Sequence, residues 1–181
     1  IGMALENIRK WQWINRMNEK INRMWKYDML TQVLNRSGFF YCAETILQKI
    51  KEEKSNAFII FLDIDGLKSV NDNLGHEIGD AFIAKIAGIL KEVVPKDCLI
   101  MRYGGDEFVV FGSCKQAGRM QRIAEDIKAA IKTADQKENR SYHLAASLGC
   151  SLHKSYEMDN LNSLIELADK KMYEEKKNKR R

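Results

Sequence analysis

Four carboxylates in this sequence stand where side chains of their kind can act together. Asp63 and Asp65 close the apolar run Phe-Ile-Ile-Phe-Leu-Asp-Ile-Asp, residues 58–65. Residues two apart in a strand point the same way, and an acid at the end of a buried strand reaches the rim of the sheet. Asp106 and Glu107 lie in Arg-Tyr-Gly-Gly-Asp-Glu-Phe, residues 102–108, between two apolar segments. Adjacent glycines allow the positive φ of a tight hairpin and leave room for a ligand against the backbone. If that hairpin pairs beside the Asp63 strand, the carboxylates converge at one sheet edge. Clustered hard oxygen ligands suit Mg²⁺, which takes a few carboxylates together with phosphate oxygens. The chemistry indicated is metal-assisted reaction of a phosphate ester. Each pair also has a plainer reading, as a turn cap for Asp63 and Asp65 and as an acidic surface hairpin for Asp106 and Glu107.

Two further segments add polar groups. Residues 71–80 read Asn-Asp-Asn-Leu-Gly-His-Glu-Ile-Gly-Asp. A carboxylate there can accept from a guanine N1–H and N2–H₂ edge, and an asparagine amide can donate to the base. Such a pair separates guanine from adenine, whose N1 is an acceptor. His76 reads better as a helix-start residue than as a ligand. Near the C-terminus, Lys176 and Arg180 lie one helical turn apart and share a face, where two cations can hold a triphosphate. The plainer alternative is a solvated basic helix end that complements the macrodipole.

The elements that must position these groups follow from periodicity. Leu5, Ile8, Trp11, Ile14, Met17, Ile21 and Met24 recur at steps of three and four, so residues 1–27 form one helix, and Ile14 to Met24 has the spacing of a short coiled-coil seam. Residues 28–35 are a junction. Helices are expected over 36–54, 77–94, 117–137 and 160–177, and strands over 57–64, 98–103, 108–112 and 144–152. Residues 65–75 read as a polar loop with a short turn. The 57–64 strand is too apolar to be half exposed and should be central. A hairpin among alternating helices and strands gives an α+β fold, a sandwich with a central mixed, mostly antiparallel sheet flanked by helices.

The chain has 181 residues, 45% of them hydrophobic, with one proline and a net charge of +5. Residues 1–27 carry a net +4 and 170–181 a net +5, leaving 28–169 at −4. Nucleic-acid binders carry their basic stripe on the folded body, so this distribution argues against nucleic acid. No apolar run approaches the ~20 residues of a membrane span, and no secretory signal is visible. Cys42, Cys98, Cys114 and Cys150 lack metal-ligand spacing and read as reduced thiols of a cytoplasmic protein. The chain does not begin with Met, so an upstream region is expected.

Taken together, four segments resemble the GGDEF-domain family, the diguanylate cyclases, over residues 28–181. They are Asp28-Met-Leu-Thr-Gln-Val-Leu-Asn-Arg36, the Asp63–Asp80 stretch with its D-x-D-x-x-K-x-x-N-D-x-x-G-H-x-x-G-D pattern, the intact hairpin 102–108, and D-x-x-x-Y-x-x-K from Asp169 to Lys176. The resemblance implies a nucleotidyl-cyclase or palm-like fold and the joining of two GTP into cyclic di-GMP, a bacterial second messenger. It implies two Mg²⁺ per site, with Mn²⁺ as an alternative, held by Asp63, Asp106 and the Ile64 carbonyl. Glu107 would assist the metal or help deprotonate the attacking hydroxyl. Asn71 and Asp80 would hold guanine. Lys68, Lys176 and Arg180 would neutralise phosphate charge, and Gly104 and Gly105 would let the phosphates approach the turn. Each domain carries one GTP, so a homodimer is required. Residues 1–27 would be the signalling and dimerisation helix, passing on the state of an upstream sensor. The expected place is the cytoplasm, with any membrane anchor lying in that upstream region. The alternatives are a catalytically inactive GTP-binding or dimerisation module, and a cyclase that also accepts ATP, against which Asp80 argues.

Three departures stand out. Gly66-Leu67 replaces a frequent His-Phe. Lys179 stands where the family often has glycine. Pro95 and Cys98 fall on the Arg and Asp of the Arg-x-x-Asp product-inhibition site, so inhibition through that site is not expected.

Overall fold

The run Asn56–Ile64 becomes the central strand β1, in which every residue after Asn56 is buried. Its alternation explains why it is apolar throughout. Phe58, Ile60, Leu62 and Ile64 enter one core cluster and Ala57, Ile59 and Phe61 the other, because the sheet is covered on both faces. The computed structural model describes residues 2–137, 142–154 and 160–179, without the side chains of residues 2–5, 7 and 8. Leu5 and Ile8 of the proposed seam therefore lie outside the described side chains.

The elements are α1 (Gly2–Lys26), α2 (Arg36–Glu52), β1, α3 (Leu67–Leu74), α4 (His76–Val93), β2 (Leu99–Arg102), β3 (Glu107–Cys114), α5 (Arg119–Lys137), β4 (Ala146–Lys154) and α6 (Leu161–Lys179). The sheet order is β2-β3-β1-β4. Its ladders are antiparallel, and a single bridge between Leu34 and Met101 is parallel. After α1 and α2 the chain runs through two interlocked split β-α-β units, β1 to β2 with β3 between them and β3 to β4 with β1 between them. One core lies under α4 and α5 with Phe82, Ile86, Ile123 and Ile127, and the other under α2 and α6 with Phe39, Ile50, Ile165 and Met172.

The 65–75 stretch differs from the expected loop. It folds as the two-turn helix α3, entered at Gly66 (φ +82°) and left at Gly75 (φ +90°). Both angles favour glycine. Leu67 and Val70 are buried and hold the helix to the core, so packing overrides the weak helix propensity of Asn71, Asp72 and Asn73.

α1 and α2 meet at a joint built around Asn35. Its amide donates to the Trp25 carbonyl at 2.9 Å and to those of Met24 and Tyr27 at 3.3 and 3.4 Å. Its Oδ1 accepts from the Gly38 amide at 2.9 Å. One side chain thus satisfies orphan carbonyls at the end of one helix and an orphan N–H at the start of the next. Trp25 packs edge-on against Tyr41 of α2, with centroids 5.4 Å apart. Beyond this joint Trp11, Ile14, Ile21 and Met24 are 67, 48, 56 and 54% exposed. These apolar positions of α1 are therefore presented outward rather than packed on the chain's own core.

Candidate active site

The register of the sheet decides what meets what. β1 and β3 pair so that Asp63 lies opposite Glu107, and β1 and β4 so that Asp63 lies opposite Ser147. Past the ladder, the Ile64 amide donates to the Asp106 carbonyl at 3.0 Å. The β2–β3 turn is closed by the Tyr103 amide donating to the Glu107 carbonyl at 2.8 Å. The hairpin is thereby set against the end of β1, and the edge expected from sequence is formed.

Arg102 braces the turn. Its guanidinium donates to the Gly105 carbonyl at 2.8 and 3.2 Å and to both oxygens of Asp28 at 3.1 and 3.2 Å. Asp28 also accepts from the Thr31 amide at 2.8 Å and hydroxyl at 2.6 Å. Burial pushes the Asp28 carboxyl up, but the hydrogen bonds from Thr31 and Arg102 outweigh it and hold the carboxyl below its ordinary value. Tyr103 packs edge-on against Phe61, centroids 5.4 Å apart, and Arg36 lies 5.3 Å over the Tyr103 ring. The turn rests on a fixed support, as a site that must hold its geometry requires.

The carboxylates in front of this support are under the opposite pressure. Asp63 is 8% exposed. Burial pushes its carboxyl up, and the charges of Asp106 and Asp65 add to that, against the restraining ammonium of Lys176. Glu107 is also pushed up, first by burial and then by Asp106, Asp63 and Asp169. Its carboxylate lies against Gly104, where a Cβ would come within 2.5 Å of Oε2. Partly buried acids that repel one another form a place where a cation is favoured.

Lys176, from α6, donates to Asp63 Oδ1. Lys68 is exposed in the first turn of α3. The Asn71 side chain lies against Gly79, where a Cβ would clash with Oδ1, and so beside the first turn of α4, which the exposed Asp80 follows. Gly104 and Gly105 form the hairpin turn. Arg180 lies outside the described residues. His76 is exposed at the start of α4, as a helix-start residue. The four cysteines are free, and burial pushes the Cys98 thiol to about 11, a protonated and unreactive group.

By donor type, Asp63, Asp106, Glu107 and the Ile64 carbonyl fit a hard divalent cation. Among the described residues no three His, Cys, Asp or Glu side chains are already gathered as a metal-holding group. The fit therefore rests on the chemistry of the donors and the raised carboxyls. Among the described residues no helix is long and apolar enough to cross a membrane.

Sequence reasoning passed over the bracing pair Asp28 and Arg102, although the three-residue step from Asp28 to Thr31 is the spacing of a side-chain turn. It also did not pair Asp65 with Lys179. Lys179 donates to Asp65 at 3.1 Å and to the Ala146 carbonyl at 2.7 Å.

A family profile described as "Diguanylate cyclase, GGDEF domain" matches residues 25–181. Diguanylate cyclase A of Treponema denticola is 29% identical over 180 residues, 97% of this chain and 48% of that protein. Diguanylate cyclase VdcA of Vibrio cholerae is 32% identical over 168 residues, 90% of this chain and 48% of that protein. The chain thus spans about half the length of these curated relatives. Among solved structures, the coiled coil and GGDEF domain of DgcB from Caulobacter crescentus, in complex with c-di-GMP, superimposes with a TM-score of 0.84. The two are 23% identical over 98% of this chain and 94% of that one, a likeness of fold. A truncated YfiN from Pseudomonas aeruginosa comprising only the GGDEF domain gives 0.74 at 28% identity, over 84% of this chain and 89% of that one.

Proposed function

Because this chain belongs to the GGDEF family of diguanylate cyclase domains, we propose that it condenses two GTP into cyclic di-GMP and two pyrophosphates as a homodimer. One observation carries the reading: Asp63, Glu107 and Lys176 converge at the sheet edge where the Gly104-Gly105 turn stands. Each attack forms a bond from a 3′-oxygen to the α-phosphorus of the other GTP and breaks its bond to the pyrophosphate oxygen. Glu107, beside Gly104 in the hairpin, would assist the metal or accept the 3′-hydroxyl proton. Two Mg²⁺, or Mn²⁺, held by Asp63, Asp106, Glu107 and the Ile64 carbonyl, would neutralise charge on the reacting phosphate. Asn71 and Asp80 read the guanine edge. Lys68, Lys176 and Arg180 hold phosphate oxygens, and the glycine turn admits the α- and β-phosphates.

Two such sites must face each other, since each holds one GTP. Residues 1–27 are the proposed signalling and dimerisation helix and residues 28–181 the catalytic domain. The outward Ile14, Met17, Ile21 and Met24 support a helix–helix seam. The cytoplasm, where GTP is available, is the proposed compartment, and a sensor in the rest of the protein the proposed input.

Incubation with Mg²⁺ and either GTP or ATP, with products identified by mass, tests the reading. GTP should give cyclic di-GMP, and Asp106→Ala should lower the rate by about 10²-fold or more while circular dichroism stays unchanged. Absence of product at high protein concentration, and with α1 fused to a strong dimeriser, would leave an inactive binding module.

A further inference from the structure

Lys179 stands where a solvated basic tail would be expected, yet its ammonium is closely engaged. It donates to the Ala146 carbonyl at 2.7 Å, Asp65 Oδ2 at 3.1 Å and Ser147 Oγ at 3.2 Å, and lies 3.4 Å from Glu175 Oε1. The Ser147 hydroxyl in turn donates to both Asp65 oxygens at 2.8 and 3.1 Å, and Ser147 is fully buried. Asp65 is fixed from its backbone side, its amide donating to the Ala145 carbonyl at 2.9 Å. Lys176 and Lys179 are three residues apart on α6 and share a face. Asp63 and Asp65 are two apart on β1 and its continuation. The two lysines meet the two acids one to one, and Glu175 adds a contact to the Leu148 amide at 3.3 Å. Earlier along α6 the helix lies directly on β4, where a Cβ on Gly149 would come within 2.0 Å of the Ala168 carbonyl oxygen.

We infer that Lys179 is a positioning residue, which pins the last turn of α6 to Asp65, Ser147 and the Ala146 carbonyl and so sets where the Lys176 ammonium stands. The inference rests on the reading of Lys176 as a phosphate-holding group. A helix end loses its packing and frays within its last turn. Without a pin, Lys176 would sample a wider volume and hold a triphosphate less tightly, since each mobile side chain must be ordered on binding. Lys179 supplies the pin from its own side chain, and it grips Asp65, Ser147 and the Ala146 carbonyl while Lys176 holds Asp63.

The test compares the whole chain with Lys179→Met, which keeps the stem, and Lys179→Arg, which keeps the charge and the donors. Hydrogen exchange without nucleotide is measured over residues 172–179. Affinity is measured with Mg²⁺ and a GTP analogue carrying a methylene between the α- and β-phosphates, and KM and kcat with GTP. Lys179 is 45% exposed, so a modest effect is expected. Lys179→Met should exchange faster, raise the analogue Kd and the KM about two- to fivefold, and change kcat less. Lys179→Arg should stay near wild type. Asp65→Asn should speed the same amides, with little added in the double variant. Weaker analogue binding with unchanged exchange would make Lys179 a direct phosphate contact and overturn the inference. So would variants indistinguishable from wild type. A wild-type chain that binds no analogue would sink the functional reading instead, and the exchange comparison would still decide the pin.

Discussion

The two ends of the β1–β3 pair use the same residue types to opposite effect. Near the start of β1, Arg119 grips both oxygens of Asp97 at 2.6 and 2.7 Å and donates to the Ser113 carbonyl at 2.8 Å. The hydrogen bond from Arg119 holds the Asp97 carboxyl below its ordinary value. At the far end, burial pushes Asp63 and Glu107 up, with Asp106 and Asp65 adding to the shift of Asp63 and Asp106, Asp63 and Asp169 to that of Glu107. One end has settled its charges within the fold. The other is left short of positive charge, which a ligand can supply. The raised carboxyls gather at the end proposed as the working one, while the lowered carboxyls of Asp97 and Asp28 are each bound to an arginine.

Neutralising one member at each end should give opposite outcomes. Asp63→Asn should cut the rate of cyclic di-GMP formation by about 10²–10³-fold, while Tm holds or rises, because the lost charge was disfavoured by burial. A clear fall in Tm would mean that Asp63 supports the fold rather than straining it. Asp97→Asn should leave the rate near wild type and lower stability by at most about 1 kcal/mol, or about 2–4 °C in Tm, since Asp97 is largely exposed.

The signs should also separate with pH. The carboxyls of Asp97 and Asp28 are lowered on folding, so the stability they contribute is complete above the ordinary carboxylate range and is lost as pH falls through their folded values. Asp63 is raised, so its charge costs stability above its folded value, and that cost fades as pH falls toward the ordinary value. Urea melts from pH 7 to pH 3 should show a shallower loss for Asp97→Asn than for wild type, and a steeper one for Asp63→Asn.

The smallest effect expected is none at all. Cyclic di-GMP should not inhibit noncompetitively through the supporting end, where Pro95 and Cys98 replace the charged pair and Arg119 is already bound to Asp97. Strong noncompetitive inhibition in rate curves with added product would show that this end has a ligand after all.

Much of the working end was legible because its signals are local. The Gly104-Gly105 turn, the acids at the end of an apolar strand and the helical step to Lys176 are all short-range patterns. The antiparallel pairing of hairpin and strand then fixes Asp63 opposite Glu107. What escaped depends on residues far apart in the chain. Asp28 and Arg102 are 74 positions apart and Asp65 and Lys179 are 114, and no periodicity links them. Helix α3 escaped for another reason: its asparagines and aspartate favour turns, and only the burial of Leu67 and Val70 decides against them.

The Asn35 joint has a mechanical consequence. A helix of 25 residues is about 37 Å long at 1.5 Å per residue. Bonded through one amide to both helix ends, it has little slack at its base. A tilt of about 10° there sweeps the far tip by roughly 6 Å. Read backwards, the helix is a lever that gears down a large displacement at its tip into a small rotation of the domain. Replacing Asn35 would therefore loosen the gearing before it touched the chemistry.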